Sequence, residues 1–473
     1  MATTVGERLN TKSVFGILAA VVALFVVLAM PTPNGMSPEA QRTAALFAFS
    51  IVLWSTEAVP IAVTCLSTLI LQPMLGHDVR LLGRVASSFM GPVFFFVLAM
   101  FIIALGWMKT GLARRFALWM ISKAGTSTNR VICVFVIGTG LISTIISDVP
   151  AAAIFMAIAL GIFQKVGVKP GSNFGKAIML GIPIGSLIGG VGTPAGSSIN
   201  LLGLSTMAQG GVSPVPFLSW MVIGMPMVAI MLPIACVVLM KWYPPEFRSI
   251  GEMSDIQKER YHLGPISTQE KKVLLIMGAM LVCWIAGNWH PEIFDTFLVG
   301  ITGAIFMFMP GMNLFTWKEA QDATGWDTLL MLGAVSSLGA ASTSTGLAKW
   351  IVGSTMGGLH GMGLIPLLLI ISAFTVAIHL VIPVNPAIIA AIVPPMIILG
   401  KDLGVNPAIY ALPVIFTTSA AFLLPLDAVP LVTFSKGYYK MFDMFMPGLI
   451  LSIAWIVVMT VLLRFLGPVL GLL

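Results

Sequence analysis

Three polar breaks interrupt apolar stretches of this chain: Ser147-Asp148-Val149-Pro150, Val384-Asn385-Pro386, and Leu424-Pro425-Leu426-Asp427-Ala428-Val429-Pro430. Carboxylate, amide and hydroxyl oxygens beside unwound backbone are ligands for a hard cation such as sodium. The helix that follows a break turns unpaired N–H groups and a positive dipole end toward an anion such as a carboxylate or sulfate. An ionised aspartate inside a membrane costs about 2.5–3.5 kcal/mol on insertion scales. Asp148 and Asp427 therefore have to bind a cation or carry a proton, unless each merely caps the half-helix after it. This chemistry is ion coordination rather than bond making: no nucleophile stands with a base, no HExxH occurs, and no Cys/His cluster is present. Cys65, Cys133, Cys236 and Cys283 lie in apolar segments without metal-ligand spacing and read as small core residues. Glu57, beside Pro60, reads as a structural cap or pair at an interface, and His379, six residues before Asn385, as a hydrogen-bonded packing residue whose ring can titrate near neutrality.

The elements that carry these residues must lie in a membrane. Hydrophobic residues make up 58% of the 473 and charged residues 9%, with a mean hydropathy of +1.01, against about 25% charged in soluble domains. An all-α polytopic fold follows. A span needs about 20 apolar residues, which predicts about eleven transmembrane helices near 13–30, 43–56, 58–75, 91–109, 175–205, 217–240, 273–289, 294–311, 326–344, 407–434 and 444–470. Arg8 and Lys12 precede the apolar run Val14–Met30, but no small-residue cleavage site stands before Pro31-Thr32-Pro33, so the first span is expected to be retained. Regions 131–165 and 362–400 each hold a polar break at the middle and read as re-entrant hairpins. With the N-terminus in the cytoplasm and the C-terminus outside, only Arg42, Arg80, Arg84, Lys349, Lys401 and Arg464 fall outside, as the positive-inside rule requires. The net charge of +7 is then a topology signal and not a nucleic-acid footprint.

Thr110-Gly111-Leu112-Ala113-Arg114 recurs as Thr345-Gly346-Leu347-Ala348-Lys349, each copy after an apolar span and before a hairpin. After each hairpin comes a Gly/Pro-interrupted helix, Gly189-Gly190-Val191-Gly192-Thr193-Pro194-Ala195-Gly196-Ser197-Ser198 in one half and 424–430 in the other. The expected organisation is an N-terminal span and linker (1–42), a first repeat (43–241), a cytoplasmic loop (242–272) and a second repeat (273–473). The hairpins open from opposite sides, which gives the repeats the inverted topology used for alternating access.

The run at 189–196 and Thr56-Glu57-Ala58-Val59-Pro60 resemble the divalent anion/sodium symporter family, carriers of dicarboxylates, tricarboxylates and sulfate, and the resemblance covers nearly the whole chain. It implies a homodimeric elevator carrier in the inner or plasma membrane, with Na+ or H+ as coupling ion and no cofactor. The first cation is placed by that resemblance among Ser143, Ser147, Asp148 and the Gly196 backbone, the second among Asn385, Asp427 and the backbone near Leu380 and Pro383. A small anionic substrate, most simply a C4-dicarboxylate such as succinate or malate, falls near Ser147, Asp148, Val149, Ser197, Asn385, Pro386, Ala428 and Val429. Where the family usually has Ser-Asn-Thr at both tips, this chain has Ser147-Asp148-Val149 and Val384-Asn385-Pro386, so three expected hydroxyls are missing. A sodium-independent exchanger and a sulfate or sulfonate carrier remain as alternatives of the same fold.

Overall fold

A computed structural model describes residues 11–76, 81–213, 215–251, 258, 260–290, 292–355, 358, 361–382 and 384–472, within which the extended elements are all helical. Arg8, Arg80 and the cation-site candidate Pro383 lie outside the described residues. α1 (Thr11–Ala29) packs along α2 (Pro38–Thr56), followed by α3 (Ile61–Gly76), α4 (Leu81–Phe89), α5 (Pro92–Lys109) and α6 (Leu112–Ala124). α7 (Thr128–Ile146) and α8 (Asp148–Val166) form the first hairpin. α9 (Asn173–Gly190) and α10 (Ser198–Gln209) flank a break at 191–197, and α11 (Phe217–Trp242) follows. Then come α12 (Thr268–Ala286), α13 (Thr296–Phe306), α14 (Trp317–Ala323), α15 (Trp326–Ser344) and α16 (Leu347–Thr355). The second hairpin is α17 (Leu364–Ile378) with α18 (Asn385–Asp402), and α19 (Ala408–Thr418) and α20 (Ala428–Phe434) flank the second break before α21 (Phe445–Leu466).

By length and composition, six helical stretches among the described residues can cross a membrane unaided, and five more apolar helices are shorter. The region expected to span at 294–311 is helical only over Thr296–Phe306, about 17 Å of rise. Asp295 fixes its start by accepting from the Phe297 and Leu298 N–H groups, and the turn through Pro310-Gly311 follows its end. The arms of the first hairpin are longer than the sequence suggests, 19 residues each. They fit because the outer end of α7 reaches the 247–250 loop, where Thr128 bonds the Phe247 and Arg248 carbonyls, while the tip stops against the break between α9 and α10. α4, α6, α14 and α16 are further helices, too short or too mixed in polarity to show as apolar runs.

Hydrogen bonds sort the loops into two ends. At one, Lys109 meets Glu319, Asn173 meets Glu246, Lys176 meets Asp443 and Lys272 meets the Met312 carbonyl. At the other, Ser37 bonds the Thr345 carbonyl, Trp350 that of Asn34, and Lys401 that of Gly210. The first end gathers most of the basic residues assigned to one side from sequence. Arg115 anchors it, donating to Glu270 at 2.6 and 3.1 Å and to the Leu263, Gly264 and Pro265 carbonyls. Burial alone would raise the Glu270 carboxyl, but hydrogen bonds from Arg115 and Ser267 outweigh it and hold the pKa below its ordinary value of 4.5.

α7 and α9 touch backbone to backbone. A Cβ on Gly189 would sit 1.9 Å from the Gly140 carbonyl oxygen, and one on Gly185 2.2 Å from that of Val136. Only glycine lets the broken helix lie this close to the hairpin. Gly189→Ala should therefore destabilise the purified protein by about 1–3 kcal/mol, read as a lower thermal midpoint, whereas Gly161→Ala, which meets nothing within 4 Å, should leave it unchanged or raised. Glu270→Gln should lower the midpoint at pH 7 by the equivalent of about 1–3 kcal/mol. Because the folded pKa is depressed, the wild-type advantage is present above about pH 4.5 and shrinks as the pH falls below it; a gap that stays constant down to pH 3 would contradict this.

Candidate functional site

The first break is built around Asp148. Ser147 ends α7 with φ +78° and ψ 159°, a region that glycine alone adopts without strain, and the chain turns there so that α8 begins at Asp148. The carboxylate accepts from the Ser147 hydroxyl at 3.1 Å, the Val149 N–H at 3.0 Å and the Ser197 hydroxyl at 3.0 Å. Ser186 donates to the Asp148 carbonyl at 2.6 Å, and Ser143 to that of Ser186 at 2.7 Å. Asp148, the first residue of α8, thus occupies a first-turn N–H of that helix and also ties the hairpin tip to the break before α10. Its two side-chain oxygens occupy donors that an anion at the same helix end would use.

Unwinding at 191–197 frees carbonyls there and at the ends of the flanking helices, and several find side-chain partners. The Asn200 amide donates to Gly190 and Thr193, Trp220 Nε1 to Val191 at 2.8 Å, and Thr193 Oγ1 to Thr144 at 2.7 Å. Around Gly196 the backbone is so tight that a Cβ would lie 2.5 Å from the Gly190 oxygen and 3.1 Å from the Ser143 oxygen. Backbone oxygens of Ser143 and Gly190 therefore converge on Gly196, with Asp148 held nearby through Ser197. Asn200 Oδ1 is buried and has no hydrogen-bond partner. An acceptor left open beside converging carbonyls is what a hard cation satisfies.

The second break repeats the theme with different residues. Asp427 caps α20, accepting from the Val429 N–H at 3.1 Å, and lies near enough to Asp148 for the two carboxylates to repel. Asn385 opens α18 with Oδ1 buried and unpartnered, and Thr417 Oγ1 and Ser419 Oγ, at the end of α19, are also buried without partners. His379 closes the base of the tip: Nδ1 lies 2.8 Å from the Thr375 carbonyl oxygen and Nε2 2.9 Å from that of Thr418. A neutral imidazole has one N–H to donate, so both contacts are hydrogen bonds only in the imidazolium form. His379, Leu380 and Asp427 line one small cavity.

Of the residues expected from sequence, Ser143, Ser147, Asp148, Gly196 and Ser197 form one bonded cluster, with Asp427 in electrostatic reach. Val149 is 38% exposed at the first tip, Leu380 and Ala428 are exposed, Val429 is buried, and Pro386 is half-buried in the first turn of α18. Among the described residues no hydrogen bond joins the Asn385–Pro386 tip to the Ser147–Val149 tip. Glu57 takes the C-cap position of α2, exposed and with φ +47°, which agrees with the cap and not the ion pair among its two structural readings. Asn200, Thr417 and Ser419 are additions; the signal available in sequence was a polar amide three residues after Ser197 and a Thr-Thr-Ser run just before the second break.

The family described as the transmembrane region of the sodium:sulfate symporters matches residues 11–473. A membrane protein of Cupriavidus necator is 30% identical over 88% of this chain and 84% of its own length. A sodium-dependent dicarboxylate transporter of Staphylococcus saprophyticus is 27% identical over 98% of this chain and 93% of its own, and one of Staphylococcus aureus 24% identical over 97% and 92%. Two solved structures share the fold: the antimetabolite efflux pump MtrF of Neisseria gonorrhoeae (TM-score 0.57, 14% identity, 96% of each chain) and the YdaH transporter of Alcanivorax borkumensis (TM-score 0.56, 14% identity, 96% of this chain and 99% of that one).

The orphaned hydroxyls give a direct test. Thr417→Val and Ser419→Ala remove groups that make no hydrogen bond, so the thermal midpoint without added cation should hold or rise. If they are cation ligands, the sodium concentration giving half of the salt-specific stabilisation should rise about tenfold or more, following the linkage of binding to stability. An unchanged sodium response in both variants would remove them from the site.

Proposed function

The chain belongs to the sodium:sulfate symporter family, an integral-membrane transporter and not an enzyme, and on that premise we propose that it is a secondary carrier coupling a small divalent anion to sodium. The observation that carries this reading is the shared use of Asp148: it occupies a first-turn N–H of α8 and holds Ser197 in the first break, where backbone oxygens of Ser143 and Gly190 converge. An anionic substrate arriving at those N–H and hydroxyl donors meets a carboxylate already there. It gains a favourable site only when a cation or proton neutralises Asp148, which is a coupling free energy between the two ligands and acts in both directions. A C4-dicarboxylate is the simplest substrate, in keeping with the names of the staphylococcal relatives.

The alternating-access part of the proposal uses two inverted repeats, α2–α11 and α12–α21. Support comes from the matching order of hairpin, broken helix and closing helix, and from reciprocal packing: α20 lies on α8, and α18 lies on α10. Each hairpin's second arm meets the second piece of the other half's broken helix. In this reading the basic end faces the cytoplasm, the hairpins and broken helices move as a unit in an elevator fashion, and two copies assemble as a homodimer.

His379 favours a second reading. An imidazolium held between Thr375 and Thr418 can supply the positive charge that a second sodium would bring, with Asp427 in the same cavity as its counter-charge. A carrier with such a built-in charge needs fewer cations and approaches an exchanger. Uptake of radiolabelled succinate into proteoliposomes separates the two, with an imposed sodium gradient, an imposed proton gradient, or internal dicarboxylate alone. Acceleration by sodium supports the symporter; uptake only with internal dicarboxylate supports the exchanger. Asp148→Asn should keep the protein folded and shift the half-saturating sodium concentration at least fivefold. Sodium and pH dependence identical to wild type would mean that Asp148 has no coupling role.

A further inference from the structure

Two cavities adjoin one another, the outer at the basic end and the inner reaching the first break. The outer one, about 830 Å³, is bounded by α6, the 260–265 segment and α12, with Arg115, Trp119, Arg260 and Tyr261 in its wall. The inner one, about 350 Å³, runs between α5 and α12 on one side and Thr144, Ile145, Thr193 and Ala195 on the other. Trp107 and Leu274 line both, so the two lie against each other with these side chains between them. Leu274 and Leu281 are exposed on α12, next to Leu275 and Val282, so the inner cavity opens along a lipid-facing surface.

We propose that this pair of cavities binds one anionic phospholipid, headgroup outside and acyl chain in the slot beside the first break. Three independent features select that ligand. The outer wall is basic and aromatic: Arg115 and Arg260 line it with Phe116, Trp119 and Tyr261, and Arg260 meets, among the described residues, the neutral Ser122 hydroxyl at 3.1 Å. Arg115 is already committed to Glu270 and three carbonyls, so it shapes the wall while Arg260 supplies the charge. Basic helices with aromatic side chains at a membrane surface attract anionic headgroups. The inner slot is apolar and suits a chain. At the junction, Trp107 is buried and its indole N–H has no partner; with a small turn of the ring toward the cavity, an ester oxygen between headgroup and chain supplies the missing acceptor.

The position has a consequence for the transport reading, on which this clause alone depends. A chain lying between α5 and α12 on one side and Thr144, Ile145, Thr193 and Ala195 on the other sits where a moving unit would slide over a static one, so lipid occupancy would set the rate without touching the anion. The binding proposal itself stands or falls on stability measurements that involve no transport.

Purified full-length protein would be placed in nanodiscs of phosphatidylcholine with increasing phosphatidylglycerol, and separately in detergent with inorganic phosphate. Phosphatidylglycerol should raise the thermal midpoint saturably. Arg260→Gln should move the half-saturating mole fraction up several-fold, and Trp107→Phe should do so without lowering the midpoint in phosphatidylcholine alone. Gly278→Leu is the decisive variant: Gly278 lines the inner slot and a Cβ there meets nothing within 4 Å, so the variant should fold and lose the phosphatidylglycerol response. Equal stabilisation by both lipids, a full response in Gly278→Leu, or stabilisation by phosphate alone would each overturn the assignment.

Discussion

Unwound backbone inside a low-dielectric bundle has to find its hydrogen bonds in protein, since no bulk water is available there. That constraint organises the middle of this molecule. The carbonyls freed between Gly190 and Thr193 are taken up by Asn200 from α10 and Trp220 from α11, and those at the end of α7 by Thr193. The partners come from different elements, so the break is held only when hairpin, broken helix and closing helix are assembled together. The glycine contacts of α7 with α9 follow from the same demand, because a Cβ at Gly185 or Gly189 would push apart the elements that supply those partners. Stacking of Trp220 on Phe416, with centroids 4.3 Å apart, then carries the first break's support across to α19 of the second half.

What remains after this internal pairing is informative by its chemical type. The open oxygens at the two breaks are the carbonyl-type acceptors Asn200 Oδ1 and Asn385 Oδ1, joined by the hydroxyls of Thr417 and Ser419. The two amide oxygens are acceptors only and are complemented by a cation or a proton, whereas the two hydroxyls can donate as well as accept. Donors for an anion are sparser, because Pro150 and Pro386 each remove an N–H from the first turn of α8 and α18. α10 has no proline in its first turn and begins beside the Ser197 hydroxyl, so it is the better-equipped of the long helices to meet a negative charge. Unpartnered oxygens therefore gather at the two breaks, and Asp148 ties the first hairpin tip to Ser197 at the start of α10.

Much of this layout was legible in the residues, for a physical reason. Proline, glycine and aspartate inside apolar runs are costly unless something uses them, so both hairpin tips and both broken helices stand out, and Ser143, Ser147, Asp148, Gly196 and Ser197 do come together. Pattern gave less where the decisive fact is a missing partner. Asn200, Thr417 and Ser419 look like ordinary polar residues of helix ends until packing is known. Counting apolar runs also passed over α6, whose Arg114 and Arg115 break the run yet form the amphipathic helix that bears the Glu270 clamp. It overextended α13, where Asp295 and the Pro310-Gly311 turn limit the helix more than hydropathy does. Glu57 was legible as a structural position before Pro60, and it takes the left-handed C-cap of α2.

The two breaks are alike in architecture and unlike in how they manage charge, and that asymmetry bears on stoichiometry. At the first, the Asp148 carboxyl is bound by two hydroxyls and one N–H, all of them neutral donors. At the second, Asp427 has fewer bonds and shares a cavity with His379, whose ring lies between two carbonyl oxygens. In the carrier proposed above, a cation or a proton complements the oxygens of the first arrangement, while the second sets an imidazole beside the carboxyl. In that proposed carrier the number of ions moved with each anion turns on whether His379 takes up and releases a proton in the cycle, because a retained proton is a fixed charge whereas a released one is a transported charge.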